Sequence, residues 1–362
     1  MRQPGGDDLL AAPVIDAEHS RCEALLGNLP AFPPVAGRLL ELLGDDEAPI
    51  DEAVDLIRSD AALSADLLRR ANSPLYGCAA RIDTLRQCLT ILGFDETRKV
   101  VLTLATSSFA GDALRIPELH RCWRHTLAVA VLSEELAKAA AFVPDKAYTA
   151  GLMHDIGRLG ILVAKPKLYA ALLRKAEDDG EVEDSIYLLE LEREAFGVDH
   201  AEAGRWLTEQ WRIPVELQLV AGRHHDRLQG EDGDLLSVVH RGCKMADALG
   251  FEVVRSLRPQ GFTEIRGELP HTVRKQFWSS AEKLREHIEI KVDAVDPNPP
   301  SETSRRQRAS DSNAAQAAAE VDDDAVSEAP SDPAEGESDW ATVGWTLIIL
   351  LSLAFAVAFA VS

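Results

Sequence analysis

The stretch Tyr148–Leu162, YTAGLMHDIGRLGIL, decides how this chain is read. Apolar residues recur through it at helical spacing, and His154 and Asp155 interrupt them side by side. Neighbouring residues on a helix point about 100° apart. Both side chains therefore approach one ion only from the rim of a cleft in a helical bundle, and the other ligands must come from adjacent helices.

Five such residues flank the pair. His125 opens the amphipathic run HTLAVAVLSEELAKAA. Asp199 is an N-cap with Glu202 at the capping-box position, so His200 falls in the first turn of its helix. Pro214 suits the first position of the next helix, which places His224 and His225 at its end. SVVHRGCKMADALG puts Asp247 on a further helix. The seven are imidazoles and carboxylates, the ligand chemistry of hydrolytic Zn, Mn or Fe in one- or two-ion centres, and no Cys takes part. A first ion would take His125, His154, Asp155 and Asp247. A second would take His200, His224 and His225, with Asp155 bridging. Two such ions clamp a phosphate and activate a bridging water.

Lys146, Arg158, Arg223 and Lys244 are the nearby bases for holding phosphate, and Arg158 is the candidate among them for a catalytic role. Taken singly, a helical His is more often a surface or core residue, and such bases are more often solvated charges. The order and spacing of the whole string carry the weight. His19, His120, His240, His271 and His287 lack a matching context.

The surrounding chain is helical in pattern. VAGRLLELL, IDEAVDLIRSD and ALSADLLRRANS each repeat apolar residues at helical spacing. Pro74 stops the last of these at Asn72-Ser73. DTLRQCLTILG ends at Gly93, and DETRKVVLTLATSSF follows with Asp95 as its N-cap. No run of alternating strands and no fixed-period repeat is found, so the body is all-α. The expected organisation is a lead-in over 1–28 and a helical body over 29–290, in two lobes of 29–115 and 116–290. An acidic disordered linker over 291–340 and a transmembrane helix over 341–362 follow.

The 362 residues carry a net charge of -22, which argues against a nucleic-acid binder. Thirteen acids against three bases lie between Val292 and Trp340, so that segment reads as a solvated tail. Five scattered cysteines without a C-x-x-C pair fit a reducing compartment and no zinc ribbon. Met1 to Asp16 has no continuous apolar core of the signal-peptide kind. Ala341 to Val361 has no charge, and its 21 residues would span about 31 Å as a helix, close to a bilayer core of about 30 Å. Trp340 and Trp345 stand at its entrance, where interfacial aromatics belong. The expectation is a single-pass anchor in the inner, cytoplasmic membrane with the body in the cytoplasm. A flexible linker of about 50 residues would give it an r.m.s. reach of about 40 Å.

This order of motifs resembles the HD superfamily of metal-dependent phosphohydrolases, and within it most resembles the HDOD group of bacterial signalling proteins. The residues that carry the likeness are Leu29-Pro30 with Pro33 and Pro34, Asp60, Asn72-Ser73, Ile82 with Leu85, and Leu92-Gly93. They continue with His154-Asp155-Ile156-Gly157, Asp199-His200 and His224-His225-Asp226. The likeness covers Leu29 to Phe251 and implies a two-lobed all-α fold and a role in signal transduction. Three positions depart from the related cyclic di-GMP phosphodiesterases. RLQGEDGDLLS after the paired histidines lacks their Gly-Tyr-Pro motif, Arg158 stands where they commonly have Lys, and Arg121 stands where they commonly have a carboxylate.

Three readings follow. One is a membrane-tethered regulatory module that binds signalling proteins, some of them membrane-bound, or a signalling nucleotide. A second is a phosphohydrolase acting on a nucleotide or cyclic dinucleotide with one or two Mn, Fe or Zn ions. The third is a helical scaffold whose histidines pack or cap.

Overall fold

The computed structural model describes residues 8–30, 33–42, 49–72, 81–179, 185–226, 234–254, 260–296 and 299. Among them every regular element is helical, as the sequence pattern predicts. α1 (Asp8–Leu26) precedes the first lobe, which comprises α2 (Pro34–Leu42), α3 (Ile50–Arg58), α4 (Ala61–Ala71) and α5 (Leu85–Ala110), closed by a 3-10 turn at Gly111–Arg115. The second comprises α6 (Pro117–Ala139), α7 (Pro144–Met153), α8 (Ile156–Ala164), α9 (Pro166–Asp179), α10 (Ser185–Phe196), α11 (His200–Gln210), α12 (Val215–Arg223), α13 (Leu235–Ala248), α14 (Phe262–Gly267), α15 (His271–Gln276) and α16 (Ala281–Val295).

Local chemistry sets the helix ends. Asp60 caps α4 through Leu63 N, and Thr84 forms a capping box with Gln87 at the start of α5. α5 kinks at Gly93, whose φ of 75° and ψ of 174° lie outside the helix. The predicted boundary there is thus a break within one long run, and Asp95 pairs with Arg98 at 2.7 Å. Asn72 ends α4 and clamps the chain beyond it: Nδ2 donates to Ile82 O and Ile82 N donates to Oδ1, both at 2.8 Å.

α6 is the axis of the body. Leu119, Trp123, Leu127, Val129 and Leu132 are fully buried on it, and it is packed by α7, α13, α16 and α9. α5 packs against α2, α3 and α4 and also against α7 and α8, so the two lobes share one core.

Two boundaries differ from the sequence expectation. The lead-in contains α1, which buries Cys22 and Leu26 and packs against α11 and α8. At the other end α16 continues five residues past position 290. Leu284, Ile288 and Val292 repeat every four residues on its buried face. Arg124 pairs with Asp293 at 2.7 Å and Asp296 at 2.8 Å, and Arg70 of α4 donates to Ala294 O and Val295 O at 2.9 Å. Acids counted by composition as tail are here held by buried arginine.

Among the described residues no helix is long and apolar enough to cross a membrane. The predicted anchor over 341–362 and the linker beyond 299 lie outside the described residues, as do Ser73, Cys78 and 227–233 of the RLQGEDGDLLS stretch.

Candidate metal centre

The chain leaves the helix where the His-Asp pair sits. α7 ends at Met153, His154 is its C-cap, and Asp155, with φ -99° and ψ 19°, precedes α8. The bend turns both side chains inward, so the two do not diverge as neighbours on one helix would. Two glycines let the bend lie deep. A Cβ on Gly151 would meet Ala130 Cα at 2.8 Å, and one on Gly157 would meet His200 O at 2.0 Å. α7 thereby reaches α6, and α8 reaches the N-terminus of α11.

Asp199 and Glu202 form the predicted capping box, which sets His200 at the first position of α11. Pro214 is the N-cap of α12, one position before the predicted one, and His224 is its C-cap. His240 fixes the backbone there, since its Nδ1 donates to His224 O at 2.9 Å.

The ring orientations follow from hydrogen bonding. A backbone carbonyl only accepts, so a ring nitrogen bonded to it carries the proton. His125 Nδ1 donates to Phe251 O at 2.9 Å, His154 Nδ1 to Gly151 O at 2.6 Å, and His224 Nδ1 to Val220 O and Ala221 O at 3.2 Å. On each of these rings Nδ1 is taken by a carbonyl and Nε2 is the nitrogen left for the cluster. A second ring nitrogen anchored on a carbonyl is the arrangement that metal-ligating histidines show.

His154 Nε2 lies 3.6 Å from Asp155 Oδ2, and His224 Nε2 lies 3.5 Å from Asp155 Oδ1. Ligands about 2.1 Å from one ion sit about 3.0–3.5 Å from each other. Asp155 Oδ1 and His224 Nε2 are both buried without a hydrogen-bond partner. Two acceptors facing each other in a dry interior are costly unless a cation joins them. The residues present therefore fit a divalent ion held by His154, Asp155 and His224.

The seven predicted ligands divide around this point. His125 joins His154 on one side and His200 and His225 join His224 on the other. Asp247 is placed differently: its carboxylate is 50% exposed and lies 3.5 Å from His125 Nδ1, the nitrogen already bonded to Phe251. Cys243, one turn earlier on α13, has its sulfur within 4.8 Å of ligand atoms of His125 and His154. Its position four residues before Asp247 was the available signal. Cys243 thus corrects the expectation that no Cys takes part, since motif types carry no information about that helix face.

Sequence reading also passed over Glu192 and Tyr169. Glu192 is fully buried and accepts from His200 Nδ1 at 2.6 Å and from His200 N at 2.8 Å. The Tyr169 hydroxyl donates to the same carboxylate. An acid four residues after Leu188 on the buried face of α10 was the only mark of it in the sequence.

Arg158 is 3% exposed and lies within the cluster. Its Nε donates to Asp155 Oδ2 at 2.8 Å, one terminal nitrogen to Tyr169 Oη at 3.0 Å, and the other to His200 Nε2 at 3.0 Å. The other predicted bases face outward. Lys146 pairs with Glu216, Arg223 pairs with Asp226 at 2.7 Å, and Lys244 lies 3.9 Å from Glu268. Arg121 pairs with Glu177 of α9.

The electrostatics agree with this wiring. Burial works to raise the Asp155 carboxyl, yet Arg158 beside it holds it well below the usual carboxylate range. Burial likewise opposes charge on Glu192, but His200 and Arg158 keep its pKa lowered. Burial drives the His154 and His225 imidazoles well below their ordinary value, which keeps both neutral and fit to offer a lone pair.

Comparison with known proteins agrees with the fold. The family model for the HDOD domain matches residues 29–227, ending before α13 with Cys243 and Asp247. An uncharacterized protein of Treponema pallidum (strain Nichols) is 26% identical over 203 residues, which cover 54% of this chain and 38% of that protein. The chain thus spans well under half the length of that relative. An HDOD domain protein of unknown function from Geobacter sulfurreducens superposes with a TM-score of 0.62 at 23% identity, covering 78% of this chain and 98% of that one. A structure from Shewanella amazonensis SB2B, provisionally named a phosphohydrolase, gives 0.56 at 22% identity over 76% and 96% of the two chains. One from Marinobacter aquaeolei VT8, provisionally named a signal transduction protein, gives 0.56 at 17% over 78% and 64%. With a family match across more than half its length, the chain belongs to the HDOD domain family.

Proposed function

We propose that this chain is a regulatory HDOD module of bacterial signalling. Its helical body binds protein partners or a signalling nucleotide, and it has no role with nucleic acid. The apolar run at 341–362 tethers it to the cytoplasmic membrane, where membrane-bound signalling proteins are within its reach. The metal cluster serves to order the body.

The observation that carries this reading is the burial of the cluster. His154 and Asp155 are each 1% exposed, His200 0% and His224 2%. Hydrolysis needs an open coordination position that a phosphoester can enter. A cavity of about 300 Å³ lies along α11 and α12 and meets the cluster only at His225. Five acids and three arginines line it, and each of the three arginines is paired with a carboxylate. Such a lining suits a polar protein segment better than a dianionic phosphate.

The facing pair Asp155 Oδ1 and His224 Nε2 favours a second reading, the metal-dependent phosphohydrolase. A divalent ion held there would supply Lewis acidity and lower the pKa of a bound water. Turnover separates the two. The full-length chain is loaded with Mn(II) and assayed on cyclic dinucleotides, with the His154→Ala/Asp155→Ala protein as background. The regulatory reading expects no hydrolysis above that background. A rate tenfold or more above it would replace that reading with the enzymatic one.

A further inference from the structure

We infer that Arg158 stands where the second cation of a two-ion centre would sit, so that the cluster accepts one divalent ion and not two. The hydrogen bonds around His200 lead to this. Its Nδ1 donates to the buried Glu192 carboxylate at 2.6 Å, which leaves Nε2 as the ring's acceptor. An arginine can only donate, and its terminal nitrogen lies 3.0 Å from that Nε2. The His225 Nε2, at 2.8 Å from the same atom, must then present its proton to it. The lone pair of His200 is thus spent inside the protein, and the Nε2 of His225 is a donor. Of the trio His200, His224 and His225, only His224 keeps its Nε2 turned to the cluster without a partner.

Charge balance points the same way. Apart from the imidazoles, the buried charged groups of the cluster are Asp155 and Glu192 against Arg158. One divalent ion changes a net charge of about −1 to about +1, while two would leave about +3 in a dry interior, where uncompensated charge is strongly disfavoured. Arg158 also holds Asp155 Oδ2, so that only Oδ1, which lies 3.5 Å from both His200 Nε2 and His224 Nε2, is left for a metal. Asp155 Oδ1, the orphaned oxygen, faces His224. The side chain thus splits its two oxygens between a resident guanidinium and a metal. A one-ion cluster is compatible with either the regulatory or the hydrolytic function.

Equilibrium dialysis of the full-length chain against excess Mn(II), read by elemental analysis, tests this together with low-temperature EPR. The expected plateau is one Mn per chain with the six-line signal of an isolated ion. Arg158→Met, which removes the charge at similar volume, should raise the plateau to two and produce an exchange-coupled spectrum. If that variant does not fold by circular dichroism, the wild-type plateau and spectrum decide alone. A wild-type plateau of two, a coupled wild-type spectrum, no bound Mn, or a folded Arg158→Met protein that stays at one would each overturn the inference.

Discussion

Asp155 Oδ1 and His224 Nε2 face each other at 3.5 Å, both buried and neither hydrogen-bonded. Two acceptors so placed weaken the metal-free protein, and a cation between them removes that cost. Saturating Mn(II) or Zn(II), at about a hundredfold excess over Kd, should therefore stabilise the fold by about 2.7 kcal/mol, a rise in Tm of about 5 °C. His224→Gln should fold and show no such rise. Differential scanning calorimetry with and without metal reads both outcomes.

Gly157 sets the approach of α8 to α11. An added methyl would lie 2.0 Å from His200 O and 2.2 Å from Gly204 N, both backbone atoms that cannot swing aside. Gly157→Ala should cost about 3 kcal/mol or more in urea unfolding and displace His200. Gly267→Ala, where a Cβ meets nothing within 4 Å, should stay within about 0.5 kcal/mol of wild type.

Asn72 replaces a backbone pair. Its amide donates to Leu68 O at 2.7 Å and to Ile82 O at 2.8 Å, while its carbonyl accepts from Ile82 N. Asn72→Ala leaves both Ile82 backbone groups without their partner, so a loss of about 2–3 kcal/mol is expected. The denaturation midpoint should fall without change in the far-UV circular dichroism spectrum at zero denaturant.

Glu135 carries a pH signature. Burial opposes its charge, but the Trp278 indole N–H and the Lys138 and Lys291 ammonium groups bring its pKa from 4.5 down to about 2. A depressed carboxyl contributes stability that is complete above its unfolded pKa and is lost as pH falls through the folded one. Wild type should exceed Glu135→Gln by about 1–3 kcal/mol at neutral pH, and the gap should close between pH 4.5 and about 2. A gap constant down to pH 2 would show that the carboxylate charge is not what ties α6 to Trp278.

What the sequence made legible was local chemistry. The Asp199–Glu202 box and the break at Gly93 follow from residues within one turn of each other, and the placement of His224 at a helix end follows from Pro214 at that helix's start. Chain periodicity gave the all-α body and the ligand string for the same reason. Contacts set by tertiary packing were not legible. Cys243 and Glu192 reach the cluster because α13 and α10 pack as they do, and neither carries a motif. Arg158 was legible as a base but not as a buried one, since its burial depends on Glu192 and Tyr169 arriving from other helices. Cys22 and Leu26 bury α1 in the same way, although no motif marks that segment.

The most direct test of the centre is anomalous diffraction from crystals of the metal-loaded protein, recorded at the absorption edge of Mn or Zn. One peak per chain is expected, within ligand distance of His154, Asp155 and His224, with Arg158 still bonded to His200. No peak at these residues, or a second peak on His200 with Arg158 swung out, would contradict it.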